Sequence, residues 1–245
     1  MAVLDLSDKT VIVTGASSGI GEATARLLHE AGARPVLAAR RADRLHRLSE
    51  QLGGALAVPT DVTDPASRRA LVQAALDRHG RIDGLVNNAG TGILKLLVDT
   101  EPEEFSQLLE LNLVSALAMI REVLPSMQAQ GGGRIVNVSS GVIHTPAPTV
   151  SAYAASKAGL VMLSAVARVE LAAMNIDVST VLPSLTATEF AGGIYQLGTE
   201  PFPGFVVHST DYVAGVILRA LRTGEDRIDI PHGPEQAEVT ATPAG

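Results

Sequence analysis

The sequence predicts an α/β fold in which one parallel sheet is covered by helices on both faces. Three observations predict it. Short β-branched runs of strand length recur from end to end of the 245 residues, and longer Ala/Leu-rich stretches with helical spacing separate them. The two kinds of segment alternate without an internal repeat, a low-complexity tract or a linker, which is the pattern of a doubly wound sheet rather than a hairpin protein. The length is generous for one domain, yet parallel sheets of this kind often fold as a single unit, and one domain is expected here.

Taken in order, Thr10–Thr14 is a run of β-branched residues ending at a glycine-rich turn, and a helix follows over about 19–31. Pro35–Ala39 leads into a helix over 41–52, and Ala55–Pro59 into one over 65–79, whose start is marked by Asp64 as cap and Pro65 as first residue. Ile82–Asn87 precedes a long helix over 103–129, and Arg134–Ser139 precedes another over 151–174. Ile176–Leu182, a helix over 209–223 and a last strand at Arg227–Ile230 complete the series. From Pro231 onward the chain is rich in Pro, Glu, Ala and Thr and is expected to form a poorly ordered tail.

Composition narrows the function classes. A net charge of −7 and a pI near 5.3 leave no basic stripe for a phosphodiester backbone or an anionic membrane surface. The absence of cysteine removes disulfides, a thiolate nucleophile and a zinc–thiolate site, and no metal is called for. Residues 1–8 lack the basic and apolar regions of a signal peptide, and no apolar run approaches the length of a membrane span, so a soluble, cytoplasmic chain is expected.

Against that background two motifs carry chemistry. Tyr153-Ala154-Ala155-Ser156-Lys157 sets a phenol and an ammonium four residues apart, on one helix face, thirteen residues after Ser140. A neighbouring cation favours the ionised phenol, so the pair can act as a proton-transfer group. A tyrosine lying under a lysine stem on a helix surface is the plainer alternative. The turn Thr14-Gly15-Ala16-Ser17-Ser18-Gly19-Ile20-Gly21 runs from the first strand straight into a helix, where glycines let the backbone approach a pyrophosphate and the helix N-terminus stabilises its charge. Close packing of helix on strand would call for the same glycines.

Thr14–Gly21, Asn87-Asn88-Ala89-Gly90, Asn112, Ser140 and Tyr153–Lys157 resemble, in order and spacing, the motifs of the short-chain dehydrogenase/reductase family, over roughly residues 7–230. The resemblance implies a single Rossmann-like domain of about seven parallel strands. It also implies an NAD(P) cofactor and hydride exchange between a small-molecule carbonyl and an alcohol. By the same resemblance Tyr153 is the general acid or base, Lys157 lowers its pKa and holds the nicotinamide ribose, and Ser140 bonds the reacting oxygen. Asn112 positions a water linked to Lys157; bonding of its amide to its own helix is the alternative. Gly15, Ser17, Ser18, Gly19, Ile20 and Gly21 hold the cofactor's phosphates. Asp61 and Val62 meet the adenine, with Asp64 rather than Asp61 capping the next helix. Asn88, Ala89 and Gly90 line the adenine-ribose side.

Cofactor choice is expected at the end of the second strand. NAD-users of the family place an acidic residue where this chain has Ala39, whereas Arg40 and Arg41 suit a 2′-phosphate, so NADP(H) is favoured over NAD(H). The same arginines, with Arg44 and Arg47, could merely open a solvated helix. After the sixth strand the family's Pro-Gly becomes Pro183-Ser184, followed by Leu185, Thr186 and Thr188, which the resemblance sets beside the nicotinamide. The arginines with which acyl-carrier-protein reductases dock their carrier are replaced by Gly131 and Met174, which disfavours that substrate.

Residues 190–206 hold Phe190, Tyr195, Phe202 and Phe205, four of the seven aromatic residues, among glycines and prolines. They are expected to form a lid over an apolar or ring-containing substrate, or else to pack onto the body or a second subunit. His144 and Thr145 are expected on the opposite wall, where His144 could tune acid–base chemistry; a surface histidine is the plainer alternative. The 103–129 and 151–174 helices, the latter through Leu160, Leu163, Val166, Ala167 and Leu171, are expected to build a homodimer or homotetramer. A nucleotide-sensing protein without catalysis and an NAD-preferring alcohol dehydrogenase are the alternative functions.

Overall fold

The computed structural model describes residues 3–235. Seven strands, β1 (Thr10–Thr14), β2 (Arg34–Ala39), β3 (Ala57–Pro59), β4 (Gly84–Asn87), β5 (Gly133–Val138), β6 (Ile176–Leu182) and β7 (Arg227–Asp229), form one sheet in the order β3-β2-β1-β4-β5-β6-β7. Every pairing is parallel. The helices are α1 (Gly19–Glu30), α2 (Ala42–Gln51), α3 (Pro65–His79), α4 (Pro102–Leu109), α5 (Ser115–Ala129), α6 (Ser151–Leu171) and α7 (Thr210–Thr223).

Alternation along each strand divides the core in two. Val11, Val13, Leu37, Val86, Val136 and Val181 face α1, α2 and α7, where they meet Leu28, Leu45 and Ile217. Their neighbours Ile12, Val36, Leu85, Ile135 and Val178 face α3, α5 and α6, where they meet Leu71, Met119 and Leu171. The five inner strands are therefore buried on both sides, as a parallel sheet requires, while the edge strands β3 and β7 stay partly open.

Element bounds agree with the sequence reading to within a residue or two except at the long helix and at the end of α6, which stops at Leu171 and passes into a 3-10 turn over Ala172–Met174. The expected 103–129 helix is α4 and α5 joined by a single π-helical segment, Glu110–Val114, which contains Asn112. A π-turn widens the ladder by one residue and re-aims the side chains within it. Nothing in the apolar spacing marks it, because the periodicity resumes on either side.

The face expected to pair subunits is divided as well. Leu160 and Leu171 are buried and Ala167 packs against the core, while the apolar residues α6 turns outward are Met162, Val166 and Val169; Val114 and Leu117 are exposed as well. At the other end of the chain, residues 231–235 do not hang loose. The Val206 amide donates to His232 O (2.8 Å), and His208 Nε2 meets Gly233 O (2.7 Å). The rest of the expected tail, 236–245, lies outside the described residues.

Candidate active site

The sheet reverses its winding between β1 and β4, and a cleft of about 990 Å³ opens there beyond the strand ends, as parallel sheets favour. At its floor the Thr14 hydroxyl donates to Val86 O (3.2 Å) and accepts from the Asn88 and Ala89 amides (3.0 Å each). The Asn88 amide group donates to Thr14 O (3.0 Å), so it holds the glycine turn in place. A Cβ on Gly21 would stand 2.3 Å from Gly15 O, which explains why helix and turn can close so tightly only with glycine. Gly15 and Gly19 have φ of +69° and +57°.

The N-terminus of α1 has no side-chain cap, because the Ser18 hydroxyl is bonded to Arg41 instead. An uncapped helix N-terminus opening on a glycine cradle fits a pyrophosphate. Arg41 donates from Nε to Ser17 Oγ (3.0 Å) and from Nη1 to Glu189 Oε2 (2.8 Å), and Arg44 Nη1 donates to Glu189 Oε1 (2.7 Å). These two guanidiniums hold the Glu189 carboxyl at a pKa of about 2. Asp61 stands across the cleft with one carboxylate oxygen held by the Thr63 amide and hydroxyl (2.9 and 2.7 Å), and these hydrogen bonds lower its pKa. The buried Arg68 on α3 donates to Val62 O (2.7 Å) and fixes that wall, while Asp64 caps α3 as expected.

At the far end, α6 presents Tyr153 and Lys157 on one face, and Ser140 follows β5. Lys157 is buried; its Nζ donates to Val138 O (2.9 Å) and stands 6.0 Å from the Tyr153 ring centre. Burial lowers the ammonium pKa to about 8. Burial likewise pushes the phenol up to about 12, opposed only by the Ser140 hydroxyl. The expected lowering of the phenol by Lys157 has no counterpart here, and burial sets the direction. The Tyr153 ring keeps part of its surface open to the cleft, where water works against the rise.

Asn112 bonds neither to its own helix nor to Lys157. The π-turn aims its amide across to Thr91 O (2.8 Å) and Ser156 Oγ (3.0 Å), and its carbonyl accepts from the Thr91 amide (3.0 Å). A Cβ on Gly159 would lie 3.0 Å from Leu113, so glycine there lets the π-turn lie close against α6.

The cleft is lined by Gly15, Ser17, Ser18, Gly19, Ile20, Arg40, Arg41, Asp61, Val62, Asn88, Ala89, Gly90, Ser140, Tyr153, Lys157, Pro183, Ser184, Thr186, Thr188, Phe190 and Tyr195. Three expected site residues lie elsewhere. Gly21 and Asn112 stand one layer behind the wall. His144 is turned away, its Nε2 against Asp229 Oδ1 (2.6 Å) and Arg227, because the short helix after Ser140 (Gly141–His144) carries it to the end of β7; Thr145 takes the wall position.

Residues the sequence reading passed over also contribute. Ser139 holds Lys157 O (3.0 Å), and His232 lines the cleft with Nδ1 at 2.9 Å from Ser184 Oγ. The Pro-His-Gly context of His232 reads as tail, and only the folded chain returns it to the site. Among the lid aromatics, Phe190 packs on Tyr153 (ring centres 5.2 Å apart) and fills the space that the missing side chain of Gly92 leaves. Phe205 stacks on His232 (4.0 Å) and meets Phe202 edge-on (6.4 Å).

A seven-stranded parallel sheet with a glycine cradle at its switch point and a Tyr-Lys helix facing it defines a dinucleotide-binding α/β protein. Comparison with known proteins makes the assignment specific. The family model for short chain dehydrogenases matches residues 9–196, and the chain belongs to the short-chain dehydrogenase/reductase family of oxidoreductases. It is 35% identical over 234 residues to an uncharacterized oxidoreductase of Listeria innocua, spanning 91% of this chain and 94% of that one. Among solved structures it is similar to a 3-ketoacyl-(acyl-carrier-protein) reductase from Brucella melitensis complexed with NADH, with a TM-score of 0.87 and 29% identity over 93% of this chain and 98% of that one. It is also similar to L-sorbose reductase from Gluconobacter frateurii complexed with NADPH and L-sorbose, with a TM-score of 0.85 and 29% identity over 94% and 98% of the two chains.

Proposed function

We propose that the chain is an NADP(H)-dependent oxidoreductase that interconverts a carbonyl and a secondary alcohol on an apolar or ring-containing small molecule. The observation that carries this reading is the cleft itself, with Arg41 seated on Ser17 and Ser18 at one end and Tyr153, Ser140 and Lys157 gathered at the other. When bound, the cofactor supplies or takes up the hydride. The chain's own residues handle the proton and the orientation. Tyr153, protonated at neutral pH, gives its hydroxyl proton to the carbonyl oxygen in reduction; in oxidation it must first release that proton to solvent, and its phenolate then takes the proton of the alcohol. The Ser140 hydroxyl donates to the same oxygen as negative charge builds on it. Lys157 remains largely cationic near pH 7 and offers donors to the ribose side, and Asn112 anchors the wall at Thr91 and Ser156.

A cofactor-oxidation screen over carbonyl classes, run with NADPH and with NADH, tests the reading; no turnover with any carbonyl would favour a nucleotide-sensing protein. The NAD-preferring alternative draws support from Glu189 on Arg41 and from the NADH in the Brucella neighbour. Ala39→Asp combined with Arg40→Ser is expected to shift the ratio of affinities toward NADH by about tenfold or more, the range of a lost charge-assisted hydrogen bond. Calorimetric titration checks it, and wild-type protein binding NADH as tightly as NADPH would overturn the NADP assignment.

The substrate side is apolar, with Leu94, Val142, Phe190 and Phe202 on its wall. Gly131 and Met174 supply no cation for an acidic carrier protein. Phe202 lines the cleft while half exposed, so Phe202→Ala should spare the fold and raise KM by severalfold with kcat little changed, the signature of uniform binding. Closure is proposed for the tip of the 190–206 segment, where Ile194 and Leu197 are exposed. Strong hydrogen-exchange protection of that tip in the free enzyme, unchanged by ligand, would rule closure out.

No described helix is long and apolar enough to cross a membrane, and a cytoplasmic setting is proposed. Met162, Val166 and Val169 repeat at helical spacing on the open face of α6, which supports a two-fold interface there. A dimer or tetramer is expected by light scattering at micromolar concentration, and Val169→Glu should shift it toward monomer.

A further inference from the structure

Arg41 serves two anions. In the NADP reading it binds the cofactor's 2′-phosphate, yet here its Nη1 is bonded to the Glu189 carboxylate at 2.8 Å while Nε and Nη2 rest on the hydroxyls of the glycine turn. Glu189 also takes Arg44, at 2.7 Å, so one carboxylate joins the second-strand end and α2 to the segment that follows Thr188. Thr188 itself abuts the turn: a Cβ on Gly19 would come within 3.1 Å of its methyl group. Glu189 is therefore held at the mouth of the cleft, beside the same guanidinium face that a phosphate would approach.

We propose that Glu189 is a specificity-determining residue, an internal anion that occupies the Arg41–Arg44 clamp and is exchanged for the 2′-phosphate when NADPH binds. The proposal rests on the NADP reading. All three side chains are more than a third exposed, so the ion pairs are well screened and weak, whereas a phosphate dianion forms charge-assisted, two-pronged hydrogen bonds to a guanidinium. The exchange is thus favourable, but it must displace the carboxylate and tolerate it nearby. NADH, with a hydroxyl in place of the phosphate, has nothing to exchange and leaves Glu189 in place. Glu189 therefore narrows the margin between the two cofactors, and removing its charge should widen it.

The test is calorimetric titration of the full chain with NADPH and with NADH, without substrate, for wild type, Glu189→Gln and Arg41→Gln, with thermal unfolding as a folding control. Glu189→Gln is expected to tighten NADPH by about fivefold, the scale of one exposed ion pair, and to leave NADH unchanged. Arg41→Gln should weaken NADPH alone. Unchanged or weaker NADPH binding by Glu189→Gln, or equal tightening of both cofactors, overturns the exchange while Arg41→Gln still reports on the NADP reading. If Arg41→Gln leaves NADPH affinity at the wild-type value, that reading falls and the exchange with it. Should Glu189→Gln unfold, Arg44→Gln provides the second route: it frees one arm of the carboxylate's support and must alter the NADPH to NADH ratio, or the clamp is not shared.

Discussion

Tyr153→Phe is expected to lower turnover by about 10²- to 10⁴-fold while leaving dinucleotide affinity within about twofold, because only the hydroxyl is lost and the ring packing survives. The ring is seated against Phe190 at 5.2 Å between centres, and a phenylalanine keeps that contact. Steady-state kinetics with the best carbonyl from the screen, alongside calorimetry with NADPH, measures both quantities. Activity within tenfold of wild type would remove Tyr153 from the chemistry and leave its pairing with Lys157 as helix packing. A loss of cofactor affinity equal to the loss of rate would show that the variant disturbs the site as a whole.

The second large effect is expected at Gly21. Its Cβ position is 2.3 Å from Gly15 O and 2.6 Å from the Asn88 amide nitrogen, and neither neighbour can yield. Gly15 O belongs to the backbone of the turn, and the Asn88 amide is bound to Thr14 O. Gly21→Ala must therefore push α1 away from the turn and displace the N–H groups proposed to hold the cofactor's phosphates. Overpacking of this kind costs about 1–3 kcal/mol, which in a domain of this size corresponds to several degrees in Tm. Dinucleotide binding should fall by at least about tenfold, since the anion site is built from the displaced groups. Gly233→Ala is the matched control, with open space around its Cβ position. Differential scanning calorimetry and NADPH titration of the two variants decide the matter; wild-type binding and Tm in Gly21→Ala would mean that the turn is far more pliant than its hydrogen bonds imply.

Much of this molecule was legible in the chain. Local rules suffice for a parallel sheet: β-branched runs such as Thr10–Thr14 have to be buried, and the glycine turn must follow the first of them for the backbone to bend into α1. The four-residue step from Tyr153 to Lys157 put both groups on one face for the same reason, since helical periodicity alone determines it. Strand bounds shifted by a residue or two at most, and the cap at Asp64 stood where its side chain and Pro65 indicated.

What tertiary structure alone decided are the contacts between segments distant in sequence. The π-turn that aims Asn112 at Thr91 and Ser156 depends on α6 offering Gly159 for Leu113 to pack against, a fit that no local pattern announces. The buried pair Asn87 and Asn137, joined at 2.9 Å, satisfies two amides across neighbouring strands that the sequence leaves fifty residues apart. His144 leaves the expected wall because the short helix after Ser140, which its spacing does not announce, swings it toward Asp229, and His232 reaches the cleft only once β7 lies beside β6. The same holds for charge. Lys157 and Tyr153 are neighbours by sequence, but their pKa values follow from burial, and Glu189 meets Arg41 only because the chain after β6 returns across the cleft. Periodicity and turn chemistry are local and can be read from the chain, whereas desolvation and long-range ion pairing depend on which surfaces the fold brings together.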